Sequence, residues 1–452
     1  MYSVTNPATG EVVEEFATAT DDEIRDAIDR AYRGYTSWKQ RPVEERVSIV
    51  KRAAGLFEEK TNELAAIITL EMGKRIQESK GEVQIVADIF DYYAEHGPRL
   101  MADEPLKIRG GEALIKKEAI GVLIGIMPWN YPYYQVARFA APNLVLGNTI
   151  LLKHAPNCPK SSAAIESVLQ EAGVPRDAYI NLYASNEQVA WMLADPRIQG
   201  VSLTGSERAG AAVAAEAGKN LKKYVLELGG SDPMIVLDSE DLDQTVGAAV
   251  ESRMGNTGQA CNAPKRMIVM SEIYDDFVEK LISKMSEYAP GDPADPATTL
   301  SPMSSQTAAE RLIGQVEIAV TQGASLRLGG HHIDSPGSYV EPTVLTDVEP
   351  DMEAYTEEFF GPVALVFRVE SEQEAIDLAN DSPYGLGAGV FSADVERARR
   401  VGERIEAGMV SINSAGGSQA DLPFGGIKRS GVGRELGPLG MDEFMNKKVI
   451  RL

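Results

Sequence analysis

Cys261 is the strongest candidate for a nucleophile in the sequence. It ends the polar, glycine-containing stretch Asn256–Cys261, shortly before the apolar run Met267–Met270, which predicts a strand. A thiolate attacks carbonyl carbon and can form a covalent intermediate. A free cysteine on its own is more often a buried structural residue, so Cys261 needs neighbours that could act with it. The second cysteine, Cys158, has no supporting motif, and we predict that it is structural.

Two polar residues directly follow predicted strands and could act with such a nucleophile. Glu227 comes after the apolar run Tyr224–Leu226, and Asn130 comes after Val122–Met127. Ligands of open α/β sheets bind at the carboxyl ends of the strands, so we expect both side chains in one crevice. The carboxylate could act as a general base and the amide could stabilise an oxyanion. The alternative for Asn130 is a turn residue between two prolines.

A candidate phosphate-binding segment, Gly205–Gly210, follows the apolar run Gly200–Leu203. Small residues let the N-terminus of a helix come close to a pyrophosphate, although this segment does not match the GxGxxG pattern. Two further segments, Glu358–Val363 and Pro423–Gly431, contain glycine and proline and predict loops.

The elements that must position these residues are apolar strands alternating with amphipathic helices. Such strands, separated by helices, are typical of a parallel sheet covered on both faces. The sequence therefore predicts two α/β units joined near residue 228, and a solvated loop at Asp347–Glu358. The predicted strands are Val122–Met127, Thr149–Lys153, Tyr179–Leu182, Gly200–Leu203, Lys223–Leu226, Met234–Leu237, Met267–Met270, Val363–Phe367 and Met409–Ile412. The predicted helices are one that begins at the capping box Thr20–Glu23, then Glu44–Thr61, Asn62–Met72, Gly81–His96, Ser161–Ala172, Asn186–Ala194, Phe277–Tyr288, Thr307–Gln322 and Glu372–Asn380.

Length and charge restrict the class of protein. The chain has 452 residues, which points to two or three packed domains. It carries 44 Lys+Arg against 67 Asp+Glu, and a net charge of −23 argues against binding nucleic acid or an anionic membrane. Its 2 cysteines are too few for a disulfide framework. We find neither a secretory signal nor an apolar run of membrane-spanning length, and we expect a cytoplasmic protein.

Taken together, these segments resemble the aldehyde dehydrogenase superfamily along nearly the whole chain. The resemblance implies an α/β fold in three parts. These are a Rossmann-like nucleotide-binding domain (1–105 and 122–227), an α/β catalytic domain (228–436) and a small β oligomerisation extension (106–121 and 437–452). The extension implies a homodimer or homotetramer. The residues that carry the resemblance are Thr5–Glu11, Pro128–Pro132, Lys153, Thr204–Gly210, Glu227–Gly230, Gly258–Cys261, Glu358–Val363 and Pro423–Gly431.

The resemblance also implies roles for individual residues. Cys261 would attack an aldehyde carbonyl, and the Asn130 amide and the Cys261 backbone N–H would hold the oxyanion. Hydride transfer to a nicotinamide would leave a thioester, and Glu227 would be the base for the water that hydrolyses it. The implied cofactor-binding residues are Trp129, Lys153, Gly205, Ser206 (at the pyrophosphate), Glu358 (at the nicotinamide ribose) and Phe360 (near the ring).

The choice between NAD and NADP depends on Lys153-His154-Ala155-Pro156. The fourth position is often a glutamate in this family, and its carboxylate accepts the ribose 2′-OH and repels a 2′-phosphate. Pro156 removes that bar, and Lys153 could pair with the phosphate. The alternative is that NAD still binds through Lys153 alone. We expect NAD or NADP as cofactor, with a lean toward NADP.

Arg138 is the candidate for substrate recognition. It lies in the apolar stretch Val136–Phe139, and a buried arginine needs an anionic partner, which an internal salt bridge could also supply. The chain resembles the compact succinate-semialdehyde dehydrogenases, in which an arginine at the matching place meets the substrate carboxylate and a serine matching Ser418 assists it. A second arginine, usual in one branch, is replaced by Gly255. We therefore expect succinate semialdehyde or a similar short ω-carboxy aldehyde as substrate.

Other functions stay open at this point. The chain could oxidise another short aliphatic aldehyde, or be a catalytically silent structural oligomer of the same fold. An acylating enzyme that passes the thioester to a thiol such as coenzyme A would normally dispense with the Glu227 base. We predict no metal site, because His96, His154, His331 and His332 show no ligand spacing. The acidic composition with few lysines is compatible with a high-salt cytoplasm.

Overall fold

Two large sheets and one small sheet organise the chain, which the computed structural model describes over residues 1–452. The first sheet has six strands, which are parallel except for one short edge strand. The chain leaves the central strand Val122–Met127 toward one edge and returns on its other side through Ile198–Thr204. A ligand crevice is expected where the strand order reverses in this way, at the carboxyl ends of these two strands. The order is Gly431–Val432, Lys223–Glu227, Ile198–Thr204, Val122–Met127, Thr149–His154 and Tyr179–Asn181.

The second large sheet has seven strands, parallel except for the antiparallel edge strand Ser325–Leu328. The chain passes from the first sheet to this one directly, because only four residues separate Lys223–Glu227 from Asp232–Val236. The passage from the first sheet to the second therefore lies at residues 228–231. The order is Ser325–Leu328, Thr343–Thr346, Val363–Val369, Pro264–Met270, Asp232–Val236, Gly387–Phe391 and Met409–Ile412.

Both large sheets are buried on both faces, which explains their continuously apolar strands. In the first sheet Leu123 contributes to one hydrophobic core, whereas the adjacent Ile124 contributes to another. In the second sheet Ile235 and Met234 divide in the same way between two cores. Helices on either side of each sheet supply the rest of these cores.

Each of the nine predicted helices overlaps a helix of the structure, and the structure adds helices that the sequence analysis does not predict, such as Tyr134–Leu146 and Leu242–Met254. The helix predicted at Gly81–His96 is longer, and the segment Asp347–Glu358, predicted as a loop, contains a helical turn. None of the helices is both long enough and apolar enough to span a bilayer. The helices are Asp21–Trp38, Val43–Glu59, Thr61–Met72, Ile76–Leu100, Tyr134–Leu146, Pro159–Ala172, Asn186–Ala194, Glu207–Lys219, Leu242–Met254, Ser271–Met285, Gln306–Gln322, Glu353–Thr356, Glu372–Asn380, Val395–Gly402 and Gly437–Asp442.

The small sheet consists of three antiparallel strands, Glu104–Ile108, Gly111–Ala119 and Met445–Arg451. These are the segments predicted to form the extension. A separate antiparallel pair, Tyr2–Thr5 and Val12–Phe16, opens the chain. The domain boundaries themselves stay a prediction.

Candidate active site

The site lies where the carboxyl end of the first sheet meets the amino end of the second. Asn130 follows a strand of the first sheet, and Glu227 is the last residue of another. Cys261 and Glu358 precede two neighbouring parallel strands of the second sheet, Pro264–Met270 and Val363–Val369. Side chains that are far apart in the sequence are thus brought to one cleft because both sheets direct the loops at these strand ends toward it.

The loop that carries Cys261 holds two left-handed residues that are not glycine. Asn256 has a φ of 52° and Thr257 a φ of 53°, and for a β-branched residue this conformation is a strain of about 1–3 kcal/mol. The loop is fixed from several sides. Thr257 Oγ1 donates to Ser301 O at 3.1 Å, and Asn256 Nδ2 donates to Gln259 O at 3.2 Å. Backbone strain that is held by such contacts is typical of functional loops.

Asn130 is tied to the same loop. Its Nδ2 donates to Gln259 O at 3.1 Å, and its backbone oxygen accepts a hydrogen bond from Asn256 Nδ2 at 3.0 Å. The amide that the sequence assigns to an oxyanion therefore contacts the backbone two residues before Cys261. Its orientation is fixed before any ligand binds, as electrostatic stabilisation of an oxyanion requires.

Two glycines allow this close approach. A Cβ at Gly230 would stand 2.8 Å from Cys261 O, and one at Gly229 would overlap a carboxylate oxygen of Glu358. The Glu227-Leu228-Gly229-Gly230 segment thus needs glycine because the Cys261 and Glu358 loops pack directly on its backbone.

The Cys261 thiol is protonated in the surroundings that the structure shows. Burial raises the pKa of Cys261 to about 12, against the lowering effects of Arg138 and Lys265, while Glu227 and Glu358 add to the rise. A thiol is a poor nucleophile until it loses its proton. Cys261 therefore needs a base or an added positive charge to react near neutral pH.

Glu227 is a buried carboxyl group without a partner. Its residue is 1% exposed, and neither of its oxygens accepts a hydrogen bond. Burial raises the pKa of Glu227 well above its usual range, although Arg138 opposes the rise. An unpaired buried carboxyl group costs free energy, so its presence in the cleft indicates a function. A raised pKa suits a general base that acts near neutral pH.

Lys153, Gly205 and Ser206, three of the residues predicted to hold the cofactor, lie at the carboxyl end of the first sheet. Lys153 is buried, and no hydrogen bond or ion pair holds its amino group, whose pKa burial lowers. Pro156, which replaces a carboxylate, is exposed. Ser206 caps the helix Glu207–Lys219, accepting from Ala209 N at 3.4 Å, directly after Gly205. An uncompensated cation and a helix N-terminus together fit the phosphates and ribose of a dinucleotide.

Glu358 and Phe360 precede a strand of the second sheet, whereas Trp129 follows a strand of the first. Glu358 Oε1 accepts from Gly230 N at 3.1 Å and lies 3.3 Å from Lys265 Nζ. The rings of Trp129 and Phe360 meet edge to face with centroids 5.8 Å apart. The structure thus brings residues of both sheets into contact beside Cys261.

Arg138 has the internal salt bridge that was the alternative to substrate binding. Its Nε lies 2.8 Å from Glu435 Oε2, and its Nη2 donates to Thr204 Oγ1 at 3.3 Å. The guanidinium group also stacks near Tyr134 and Phe424, 4.8 and 4.4 Å from their ring centroids. Its Nη1 is nevertheless buried with no hydrogen-bond partner. The arginine is held in place with one donor nitrogen unused.

A second unused donor lies beside it. The Tyr134 hydroxyl group is buried and makes no aligned hydrogen bond, with the side chain of Ser418 and Arg138 next to it. The structure therefore places Arg138 and Ser418, the two residues predicted to bind the substrate, beside the same tyrosine. A carboxylate that entered beside these groups could accept hydrogen bonds from Arg138 Nη1 and the Tyr134 hydroxyl group.

Sequence reasoning missed three residues of this site: Tyr134, Lys265 and Glu435. Tyr134 lies one helical turn before Arg138, a spacing that places both on one face. Lys265 is a lysine within a fully buried strand. Because lysines are almost never fully buried without a partner, its position in an apolar run could have marked it as a site residue. Glu435 follows the Pro423–Gly431 loop and gives no comparable signal.

Comparison with known proteins matches this chain to one family. The model of the aldehyde dehydrogenase family matches residues 1–450. The succinate-semialdehyde dehydrogenase [NADP(+)] of Deinococcus radiodurans is 55% identical over 450 residues, 100% of this chain and 94% of that protein. A protein of the same name from Mycobacterium bovis, numbered 1, is 45% identical over 448 residues, 98% of each chain.

Solved structures give the same picture. The succinic semialdehyde dehydrogenase of Streptococcus pyogenes, solved in complex with NADP+ as the cofactor, superposes with a TM-score of 0.98. It is 43% identical, and the match covers 100% of each chain. Gox0499, solved in a study of cofactor and substrate selection, superposes with a TM-score of 0.99 at 48% identity, over 100% of this chain and 99% of that one.

Proposed function

The chain belongs to the aldehyde dehydrogenase family, and from this premise we propose that it oxidises succinate semialdehyde to succinate with NADP+ as the hydride acceptor. The observation that carries the substrate is the pair of buried, unpartnered donors, Arg138 Nη1 and the Tyr134 hydroxyl group, near Cys261. The relatives named for succinate semialdehyde and NADP+ support the same choice.

The first half of the reaction belongs to Cys261 and Asn130. The Cys261 thiol first releases its proton to water, and the nearby Arg138 guanidinium group favours this loss. The thiolate sulfur then bonds to the aldehyde carbon, and the carbonyl oxygen becomes an oxyanion held by the Asn130 amide and the Cys261 backbone N–H. A bound nicotinamide supplies the acceptor for the hydride that this carbon then loses. The carbon, now oxidised by two electrons, stays on the sulfur as a thioester.

The second half belongs to Glu227. Its carboxylate takes a proton from a water molecule, whose oxygen attacks the thioester carbon. The carbon–sulfur bond breaks, succinate leaves, and Cys261 returns as thiolate. Because burial raises the pKa of Glu227, the carboxyl group ionises only as the pH rises, so turnover should increase with pH.

The cofactor is held by Lys153, Gly205, Ser206 and Glu358, with the Trp129 and Phe360 rings beside them. Lys153 carries the choice of NADP. Lys153 is a buried residue whose amino group has no partner in the protein, and Pro156 leaves no carboxylate to repel a 2′-phosphate. The dinucleotide would lie across the carboxyl ends of the first sheet.

Two lesser points belong to this proposal. The exposed apolar residues Val449 and Ile450 in the edge strand Met445–Arg451 support a homodimer or homotetramer built through the small sheet.

A free thiol nucleophile works where it stays reduced, which supports the cytoplasm as its compartment.

The experiment compares an ω-carboxy aldehyde with a neutral one. In Tyr134→Phe and Arg138→Met, kcat/KM for succinate semialdehyde should fall, on the order of 100-fold for Arg138, because a charge-assisted hydrogen bond is lost. The same constant for butyraldehyde should change much less. NADPH absorbance measures both.

Arg138→Met also leaves Glu435 unpaired and could unfold the chain, so Tyr134→Phe and Ser418→Ala serve as milder variants. Equal losses for both aldehydes in all three variants would contradict carboxylate recognition at this place. That result, with wild type preferring butyraldehyde, would favour a dehydrogenase of short aliphatic aldehydes.

A further inference from the structure

Lys265 is a fully buried cation next to the nucleophile, and the reaction just described gives it no role. It belongs to the strand Pro264–Met270, whose seven residues are all buried. Its amino group donates to the backbone oxygens of Ala260 at 2.8 Å and Cys261 at 2.5 Å. Burying an ammonium group is costly, so a lysine persists there only where specific partners compensate it.

The partner that carries charge is Glu358. Its Oε1 lies 3.3 Å from Lys265 Nζ and also accepts from Gly230 N at 3.1 Å. No hydrogen bond is made to its Oε2. One carboxylate oxygen is thus committed to the protein, and the other is left for a ligand. Lys265 is the only side chain that bonds to the backbone of Cys261 and pairs with Glu358.

The charges that face the Cys261 sulfur come from both sheets. Arg138 and Lys265 favour its thiolate, and Glu227 and Glu358 disfavour it. Lys265 itself is faced by Glu358, Arg253, Asp232 and Cys261. Lys265 and Glu358 therefore act on the thiol with opposite sign while they hold one another.

We propose that Lys265 is a positioning residue that couples the cofactor site to the nucleophile. Through one amino group it fixes the backbone of Cys261 and orients Glu358 with its second oxygen free for the ribose of the cofactor. The inference rests on the proposed use of Glu358 in cofactor binding. A change in what the Glu358 carboxylate binds should therefore also change the reactivity of the Cys261 thiol.

The test measures thiol reactivity and cofactor affinity without any aldehyde. Alkylation of Cys261 by iodoacetamide is followed against pH by peptide mass spectrometry, which separates it from Cys158. NADP+ binding is measured by calorimetry. In Lys265→Met the alkylation profile should move to higher pH by about one unit, since a nearby cation is lost. In Glu358→Gln it should move to lower pH, since a nearby anion is lost.

Both variants should bind NADP+ about tenfold more weakly, because one lacks the group that orients the carboxylate and the other lacks the carboxylate. General loosening of the loop would move both alkylation profiles in the same direction, and the opposite directions expected here distinguish the two explanations. Arg266→Lys is the matched control. Arg266 is the adjacent buried cation, but it donates to Ser231 O, Leu378 O and Ala379 O, away from Cys261. Arg266→Lys should leave both the alkylation profile of Cys261 and the affinity for NADP+ unchanged.

Profiles that shift the same way in both variants, or NADP+ affinity unchanged in Lys265→Met, would overturn the coupling. If Lys265→Met does not fold, the direction of the Glu358→Gln shift decides it. Failure of the wild type to oxidise succinate semialdehyde would refute the proposed function instead, because alkylation and calorimetry need no turnover.

Discussion

At the scale of the residue, the site is recognised by polar groups that lack partners. Glu227, Arg138 Nη1 and the Tyr134 hydroxyl group are buried in the cleft without hydrogen bonds. Each such group costs free energy in folding, and a ligand that binds there recovers it. The sequence predicts Cys261, Glu227, Asn130 and Arg138 as candidates, but it does not show which of their donors and acceptors are free.

Lys153 should discriminate between the two dinucleotides. Lys153→Met removes a buried cation with no partner in the protein, so NADP+ should lose about 10- to 100-fold in affinity, as for a lost charge-assisted bond, and NAD+ much less. Calorimetric titration of both cofactors measures the difference. Lys160→Met is the control, because Lys160 pairs with Glu14 at 2.8 Å and should matter for neither. Equal losses for NADP+ and NAD+ would contradict a role in binding the 2′-phosphate.

At the scale of the element, the loops after and before strands set the geometry. The periodicity of apolar residues predicts the strands Val122–Met127 and Met409–Ile412 with the ends that the structure shows. It misses Gly387–Phe391, because two of the five residues there are glycine. The structure shows why: a Cβ at Gly387 would stand 2.5 Å from Asp232 Oδ2, and one at Gly389 would stand 2.9 Å from Ser414 O. Contacts with residues that are distant in the sequence require these glycines, and the local sequence pattern does not predict such contacts.

The packing of Gly230 against the Cys261 loop gives an element-scale prediction. Gly230→Ala places a Cβ 2.8 Å from Cys261 O, so the loop must shift by a few tenths of an ångström. We expect kcat to fall about 10- to 100-fold, because small displacements of a nucleophile are costly, while the fold survives. Gly55→Ala is the control: no atom lies within 4 Å of its added Cβ in the helix Val43–Glu59. It should keep full activity and gain about 1 kcal/mol in the free energy of unfolding. Equal activity in the two variants would contradict close packing at Gly230.

His154 fixes the loop of the cofactor lysine to the Asn130 loop. Its Nε2 bonds to Pro132 O at 2.9 Å, and its Nδ1 accepts from Ala155 N at 2.8 Å. Burial lowers the pKa of His154 from 6.5 to about 4. The unfolded chain therefore takes up a proton below pH 6.5 that the folded chain accepts only near pH 4, and folding stability falls across that window as the pH falls.

The free energy of unfolding should carry this signature. Between pH 6.5 and 4, the stability of the wild type relative to His154→Gln should decline by up to about 3 kcal/mol, measured by chemical denaturation at both pH values. His332→Gln, at an exposed histidine, should show no such trend. A parallel pH dependence in wild type and His154→Gln would mean that His154 does not remain neutral in the fold.

At the scale of the whole molecule, the sequence predicts two α/β units, but it does not predict which ends of their two sheets face each other across the cleft. The ordered motifs that resemble one family predict that family, which the comparisons show. That the amino end of the second sheet faces the carboxyl end of the first follows from the four-residue link after Glu227. The contacts of Glu435 with Arg138 and Ser202 depend on this meeting and could not be predicted from either unit alone.

The surplus of acidic residues should make stability depend on salt. A net charge of −23 repels itself across the surface, and salt shortens the range of that repulsion from about 10 Å at 0.1 M to about 3 Å at 1 M. We expect the midpoint of thermal unfolding to rise with molar potassium chloride, and more than with sucrose of equal osmolality. A midpoint indifferent to potassium chloride would count against adaptation to a high-salt cytoplasm.

Trapping the thioester tests the assignment of Cys261, Glu227 and the substrate together. Glu227→Gln should complete the transfer to Cys261 and then fail to hydrolyse the product, since the amide cannot take a proton from water. The variant is mixed with NADP+ and succinate semialdehyde, quenched in acid and analysed by peptide mass spectrometry. We predict one NADPH per site in a burst and a succinyl group on Cys261. An unmodified Cys261, or steady turnover equal to that of the wild type, would contradict the mechanism.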